Sequence, residues 1–435
     1  MKIRSLNNAT VLIQSDKCSL LIDPWLVGDL YGGAWSPFAT CENLEFLKTV
    51  THVFVSHIHE DHWDRETLKL LRKDVEIFIP DMPINAVLKN YIERLGFSNI
   101  SLIKYFTKIK LSDIHLTIIP PMNAFGQEIG SYNEGYEYDA THIDTSLLLE
   151  DQRTNTSHLF LCDNTPYDLS ILEGVHFENL SSVWYPFNSY AQDYPVCYEM
   201  ENFERDKVHQ KMHEKRRDTI KQCIKKLKPK YYFPHSADFV LNGPNAVSFE
   251  RYTEAKYMER NRVAETYAFS DLSYSVSAYA GFGDELEVVN GGDIRIQRDI
   301  YGYELSSSKP DLDNFEPHLN EKNSQVLERA FSQMLQRCEK FNIDLTPCNC
   351  WLLELNVDEE KLTLSYENRR LVKDGDEVYS DAKVLSIKLT EKQFGVLMNR
   401  ELHWNNAQIG LHLNFKRNPN EYCQELYKSL NFLHL

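Results

Sequence analysis

The chain has 435 residues, 42 % of them hydrophobic and 26 % charged, enough to bury a large core and far from the composition of a disordered segment. Its 47 basic and 64 acidic side chains leave a net charge of −17, which disfavours general binding to nucleic acid or anionic lipid. No stretch has the roughly 20 apolar residues of a membrane span, and the opening MKIRSLNNATVLIQ alternates apolar residues instead of presenting a basic start and a signal core.

From the N-terminus, ATVLIQ and CSLLID are β-rich runs separated by Ser15, Asp16 and Lys17, which predicts an antiparallel hairpin ending at Asp23. The loop from Pro24 to Phe38 is rich in glycine and aromatic residues. An amphipathic piece from Asn43 to Lys48 then leads into a short buried strand, THVFVS, at 51–56. Directly after it stand His57, Ile58, His59, Glu60, Asp61 and His62. Asp64 is the expected N-cap of the helix RETLKLLRK, and further strands are expected at VEIFIP, HLTIIP, TSLLLE and HLFLCDN.

Residues 183–199 read as an aromatic, proline-bearing insertion, and 201–228 as a long polar helix before the strand YYFP. Between 205 and 230, eleven Lys and Arg stand against three acids; a solvated helix face is the usual account of such a run, with attraction of a phosphate or nucleotide anion by Lys211, Lys215, Arg216 and Arg217 as the alternative. The Ser/Pro-containing SSSKPDLDN at 306–314 marks a linker, so the expected organisation is a catalytic domain over 1–300, a linker over 301–315 and an α+β accessory domain over 316–435. The nine cysteines are dispersed without C-x-x-C spacing and read as reduced thiols, which makes the cytoplasm the expected location.

The chemistry is concentrated in the H-x-H-x-D-H run at 57–62. Two histidines two apart at the end of an extended segment can turn toward one point, while Asp61 and His62, entering the next helix, can serve a neighbouring point. Neutral imidazoles with carboxylates are a donor set for zinc, iron or manganese with positions left for water.

This hexapeptide after a strand resembles the signature of the metallo-β-lactamase fold superfamily, which implies a four-layer αββα sandwich. The resemblance implies roles residue by residue. Asp23 matches the upstream aspartate that supports the metal loop, His142 the third histidine, Asp163 the bridging carboxylate and His235 the last ligand. His115, inside the strand DIHLTIIP, is the competitor for the third histidine, and His142 is preferred because it immediately precedes TSLLLE. His57, His59 and His142 would then hold one divalent ion, Asp61, His62 and His235 the other, with Asp163 shared and Asp61 also available as a general base. Zinc is the default metal, with iron or manganese as alternatives.

The segments NATVLIQ, LLIDPWL, KPKYYFPHSADFVLNGPN and HWNNAQIGLHLNFKRNPNEY are similar to the branch containing the CMP-N-acetylneuraminate hydroxylases, and more distantly to the lactonase and N-acyl phosphatidylethanolamine phospholipase branch. The hydroxylases carry a Rieske domain, whose C-x-H and C-x-x-H patterns do not occur in these 435 residues. The leading expectation is therefore a dinuclear hydrolase that uses metal-bound hydroxide on a polar, anionic, carbohydrate- or nucleotide-like small molecule. The alternative is an iron-dependent hydroxylase with a separate electron-transfer partner. Trp25, Tyr31 and Trp35 are expected either to wall the pocket for substrate stacking or to pack their loop down. Asn406 and Arg417 are considered as substrate contacts and left unassigned, and a homodimer is a further expectation.

Overall fold

The structure is a computed structural model that describes residues 1–37, 39–41, 43–122, 143–187, 193–236, 239–242, 266, 268–272, 275–277, 284–297, 303–305, 319, 321–373, 375–376 and 381–435. Strict alternation of side chains builds its layers. Along Ser19–Ile22, Leu20 and Ile22 face one core and Leu21 another; along Glu76–Pro80, Phe78 and its neighbours Ile77 and Ile79 divide in the same way. Period-two runs that are apolar at every position can only be buried on both faces, and that is where these strands lie.

The first sheet has eight strands in the order Ile294–Gln297, Glu285–Val288, Lys2–Asn7, Thr10–Gln14, Ser19–Ile22, His52–Phe54, Glu76–Pro80 and Ile100–Ile103. The second has seven, in the order Val276–Ser277, Tyr231–His235, Leu180–Pro186, Thr156–Phe160, Ser146–Asp151, Ile114–Ile119 and Lys108–Leu111. Leu20, Ile22, Phe54 and Phe78 of the first meet Leu116, Leu149, Phe160, Trp184 and Phe233 of the second in the core between them. Helices Arg65–Leu70 and Asn85–Arg94 cover the outer face of the first sheet through Leu68, Leu88 and Ile92. Helix Asn202–Leu227 covers the outer face of the second through Met212, Ile220 and Ile224. The result is the expected αββα sandwich.

The expected hairpin forms between Thr10–Gln14 and Ser19–Ile22, with Val11 opposite Ile22. It gains a strand the sequence did not suggest, Lys2–Asn7, which pairs with Thr10–Gln14 and also with Glu285–Val288. Asp64 caps its helix as expected, accepting from the N–H groups of Glu66 and Thr67. The reading of 183–199 as an insertion needs correction at its start. Leu180–Pro186 is a parallel strand inside the second sheet, and Trp184 and Tyr185 are fully buried on its opposite faces.

Toward the C-terminus, helix Asn323–Lys340 packs with a five-stranded sheet ordered Arg370–Leu371, Glu360–Ser365, Trp351–Val357, Lys383–Leu389 and Asn414–Asn418. Tyr303–Leu305, inside the expected linker, pairs antiparallel with Ala39–Cys41. One apolar core contains both Trp35, Tyr185 and Tyr198 and the C-terminal Leu385, Phe415 and Tyr427. The Phe415 N–H donates to Cys197 O at 2.7 Å, its carbonyl accepts from Glu199 N at 2.7 Å, and its ring stacks on Tyr198 at 5.1 Å. Among the described residues, no helix is long and apolar enough to cross a membrane.

Candidate metal centre

The candidate residues gather at one edge of both sheets because each stands at a strand end. Asp23 follows Ser19–Ile22, His57 to His62 follow His52–Phe54, Asp163 follows Thr156–Phe160 and His235 closes Tyr231–His235. The first two strands are parallel neighbours, so their carboxyl ends open on the same side, as in α/β sheets that bind ligands there. Sharp turns aim the side chains: Asp23, Cys162 and Ser236 have φ of 44°, 52° and 61°, in the left-handed region that costs non-glycine residues energy and recurs at functional sites.

Asp23 organises the loop. Its Oδ1 accepts from Ser56 N at 2.7 Å, and its Oδ2 accepts from Ser56 Oγ and from His62 Nδ1, both at 2.8 Å. With Nδ1 of His62 donating to Asp23, Nε2 is the ring atom left to take a second proton or a metal ion. That atom makes no hydrogen bond among the described residues, yet lies 3.2 Å from Asp163 Oδ2 and 3.3 Å from Asp61 Oδ2. A buried ring nitrogen facing two carboxylates needs a positive charge between them, a proton or a metal ion. Burial opposes charge on His62, but Asp61, Asp163 and Asp23 together outweigh it and raise its affinity for a proton well above the ordinary range. The same field attracts a divalent ion, and the donor set fits one.

A second group adjoins the first. His57 Nε2 lies 2.9 Å from His59 Nδ1 and 3.5 Å from Asp144 Oδ1, while Ser56 Oγ lies 2.9 Å from His57 Nδ1. Burial, and after it the neighbouring His62 and His59, hold His57 well below the usual histidine range; burial also lowers His59. Both are neutral imidazoles near pH 7, the form that ligates metal. Asp163 is raised by burial, but His62 outweighs this and holds the carboxyl below its ordinary range. Its Oδ1 accepts a short hydrogen bond from Ser236 Oγ.

Among the described residues, ligand atoms within 4.8 Å of one another form two sets, His57 with His62 and Asp163, and His57 with His59 and Asp144. His57 is common to both sets, and its one lone pair can serve one ion at a time. Asp61 borders the first set, with Oδ2 accepting from Asn8 Nδ2 at 2.9 Å and Oδ1 from the Tyr31 hydroxyl at 2.5 Å. His235 is fully buried, edge-on to Trp184 at 5.8 Å, and belongs to neither set. His142 lies outside the described residues. His115, its competitor, is a half-buried strand residue opposite Lys110 and Glu150.

The reading of Trp25, Tyr31 and Trp35 as a stacking wall is corrected: they are 0 %, 1 % and 6 % exposed. Trp35 stacks on Phe239 at 3.7 Å, Trp25 donates to Gly28 O, and Tyr31 serves Asp61. The sequence reading missed Asp144, Ser56, Asn8 and Tyr31 as partners of the ligands. Asp144 alone had a local signal, being a carboxylate two residues beyond the expected third histidine.

The layers, with a histidine-rich loop at the sheet edge and carboxylates from both sheets converging on it, define a metallo-β-lactamase fold. The chain is similar to a protein of Mycolicibacterium smegmatis described as a Rieske 2Fe-2S iron–sulfur protein, 30 % identical over 200 residues, covering 43 % of this chain and 35 % of that one. It is also similar to the cytidine monophosphate-N-acetylneuraminic acid hydroxylase of Xenopus laevis, 22 % identical over 258 residues, covering 56 % of this chain and 39 % of the hydroxylase. The chain therefore spans well under half the length of these relatives. Among solved structures, an isothiocyanate hydrolase from Delia radicum gut bacteria aligns with a TM-score of 0.41 at 17 % identity, over 66 % of this chain and 99 % of the hydrolase. No protein-family model matches the chain.

Proposed function

We propose that this chain is a dinuclear iron enzyme that hydroxylates a small, polar, anionic metabolite. The observation that carries the reading is the pooled donor set: the imidazoles of His57, His59 and His62 and the carboxylates of Asp144 and Asp163 lie in two overlapping groups, enough to hold a pair of adjacent ions. Imidazole and carboxylate donors with open positions suit non-haem iron. Similarity to a hydroxylase of a nucleotide sugar supports the same chemistry and suggests the substrate class.

Iron held there would supply activation of dioxygen. The chain's own part is to hold and orient: Asp23 fixes the tautomer of His62, Ser236 fixes Asp163, and Asn8 with Tyr31 fixes Asp61. Hydroxylation consumes dioxygen, two electrons and two protons, placing one oxygen atom in the substrate and the other in water. A separate iron–sulfur protein is the proposed electron donor.

Hydrolysis is the second reading, with zinc or manganese as the metal pair. It is favoured by Asp163, whose Oδ2 faces His62 while Ser236 holds Oδ1, an arrangement that would hold an ion able to supply hydroxide. Metal analysis of the full chain purified without added metal separates the two. Two irons per chain and a visible absorption band that responds to dioxygen are expected. Two zinc or manganese ions with no response to dioxygen would overturn the hydroxylase reading in favour of hydrolysis.

A further inference from the structure

The C-terminal segment reaches the metal loop directly. Helix Trp404–Ile409 presents Asn406, whose Nδ2 donates to Glu60 Oε1 at 2.6 Å. The other oxygen of Glu60 accepts the N–H of Tyr31 at 3.1 Å. Tyr31 donates its hydroxyl to Asp61 Oδ1 at 2.5 Å, and its carbonyl accepts from His412 Nε2 at 2.6 Å. These bonds join residues of the last 32 positions to a carboxylate in the hexapeptide through one half-buried acid and one buried phenol.

Two features make this more than incidental packing. Tyr31 has φ of 52°, a conformation unfavourable for a bulky residue, so the contacts around it must hold it there. The close approach also depends on Gly410: a Cβ at that position would lie 2.9 Å from Tyr31 O and 2.8 Å from His412 Cδ2. Glu60 has both oxygens engaged, one by the metal loop's neighbour Tyr31 and one by Asn406. Loss of the Asn406 amide leaves Oε1 without that donor and frees the carboxylate to leave Tyr31.

We propose that Asn406 is a positioning residue of the metal centre: through Glu60 and Tyr31 it fixes the rotamer of the Asp61 carboxylate, and so the affinity and geometry of the ion bound beside His62. The proposal rests on the metal-centre reading and adds to it a role for the C-terminal segment. His412 supports the same tyrosine from its carbonyl side. Partners of this kind, which orient ligands without touching metal, typically change metal affinity by about 10–100-fold when removed.

The test uses the full chain stripped of metal and reloaded with Co(II), whose visible spectrum reports ligand geometry. Asn406→Leu, Asn406→Asp, Tyr31→Phe and the double variant Asn406→Leu/Tyr31→Phe are compared with the unsubstituted chain, with circular dichroism and thermal unfolding as checks on folding. In both Asn406 variants the affinity for one of two Co(II) ions is expected to fall about 10–100-fold, with a changed spectrum, while the other ion binds as before. Asn406→Asp keeps the shape but sets a second carboxylate against Glu60, so its effect is the larger. In the Tyr31→Phe background, Asn406→Leu should add much less than it does alone, since both act through one chain of contacts. Unchanged affinity and spectrum in both folded Asn406 variants, with two ions bound by the unsubstituted chain, overturn this proposal alone. An unsubstituted chain that takes up no Co(II) overturns the metal-centre reading as well.

Discussion

His62 donates from Nδ1 to Asp23 Oδ2 at 2.8 Å, and this single contact decides which nitrogen of the ring faces Asp61 and Asp163. Asp23→Asn would keep an acceptor for Ser56 N but turn an amide N–H toward His62 Nδ1–H. The expected outcome is a loss of metal affinity of about 10–100-fold. A fall in stability of about 1–3 kcal/mol should accompany it, from the buried groups left without partners. Metal titration and denaturant unfolding of the same preparation measure the two effects.

His57 belongs to both ligand sets and His59 to one. A neutral imidazole has one lone pair and serves one ion at a time, so His57→Ala and His59→Ala are each expected to leave about one ion per chain. Elemental analysis after dialysis checks this; two ions retained in either folded variant would count against that residue as a ligand.

Stability should depend on pH through a histidine unconnected with metal. His158 is fully buried in Thr156–Phe160, with Nδ1 2.7 Å from Ser182 Oγ, and burial lowers its pKa from 6.5 to about 3. Between those values the unfolded chain binds a proton that the folded chain does not. Stability from this group is therefore complete above pH 6.5 and declines as the pH falls toward 3, by about 1.4 kcal/mol per pH unit. At pH 5 the loss is about 2 kcal/mol relative to pH 7.5. His158→Gln removes the ionisation, so the slope of unfolding free energy between pH 5 and 6.5 should flatten by about one proton's worth; an unchanged slope would refute the assignment.

Gly410 has φ of −73°, so alanine is permitted by the backbone there and excluded only by its neighbours. Gly410→Ala must displace His412 or the Tyr31 carbonyl, at a cost of about 1–3 kcal/mol. Thermal unfolding should show a lower first transition, whereas Gly375→Ala, with nothing within 4 Å of a Cβ but a φ of 87°, tests backbone strain without crowding.

What could be read from the sequence was whatever local pattern determines. Leu20, Leu21 and Ile22 announced a strand buried on both faces, Asp64 announced a helix start, and the H-x-H-x-D-H run announced a metal loop. What could not be read depends on approach between distant segments. Lys2–Asn7 joins a partner some 280 residues away, and Tyr31 is held at its carbonyl by His412 and, through Glu60, by Asn406. Trp25 and Trp35 were ambiguous for a related reason: an aromatic residue in a glycine-rich loop suits a ligand wall or a core equally, and only the position of Phe239 and the 404–409 helix decides between them. Asp144 fell between the two cases, since its neighbourhood in sequence was marked but its distance to His57 was set by the meeting of the two sheets.

The shared core beneath Phe415 bears on how this chain can be taken apart. Tyr198 and Trp35 share one apolar core with Phe415 of the strand Asn414–Asn418, and Cys197 and Glu199 bond the backbone of Phe415 at its N–H and its carbonyl. A chain ended near residue 300 would open that apolar face to water and strip the hydrogen bonds at its rim. Deletion would then report on solubility alone, and the C-terminal segment's part in the chemistry can be reached only by single substitutions made within the intact chain.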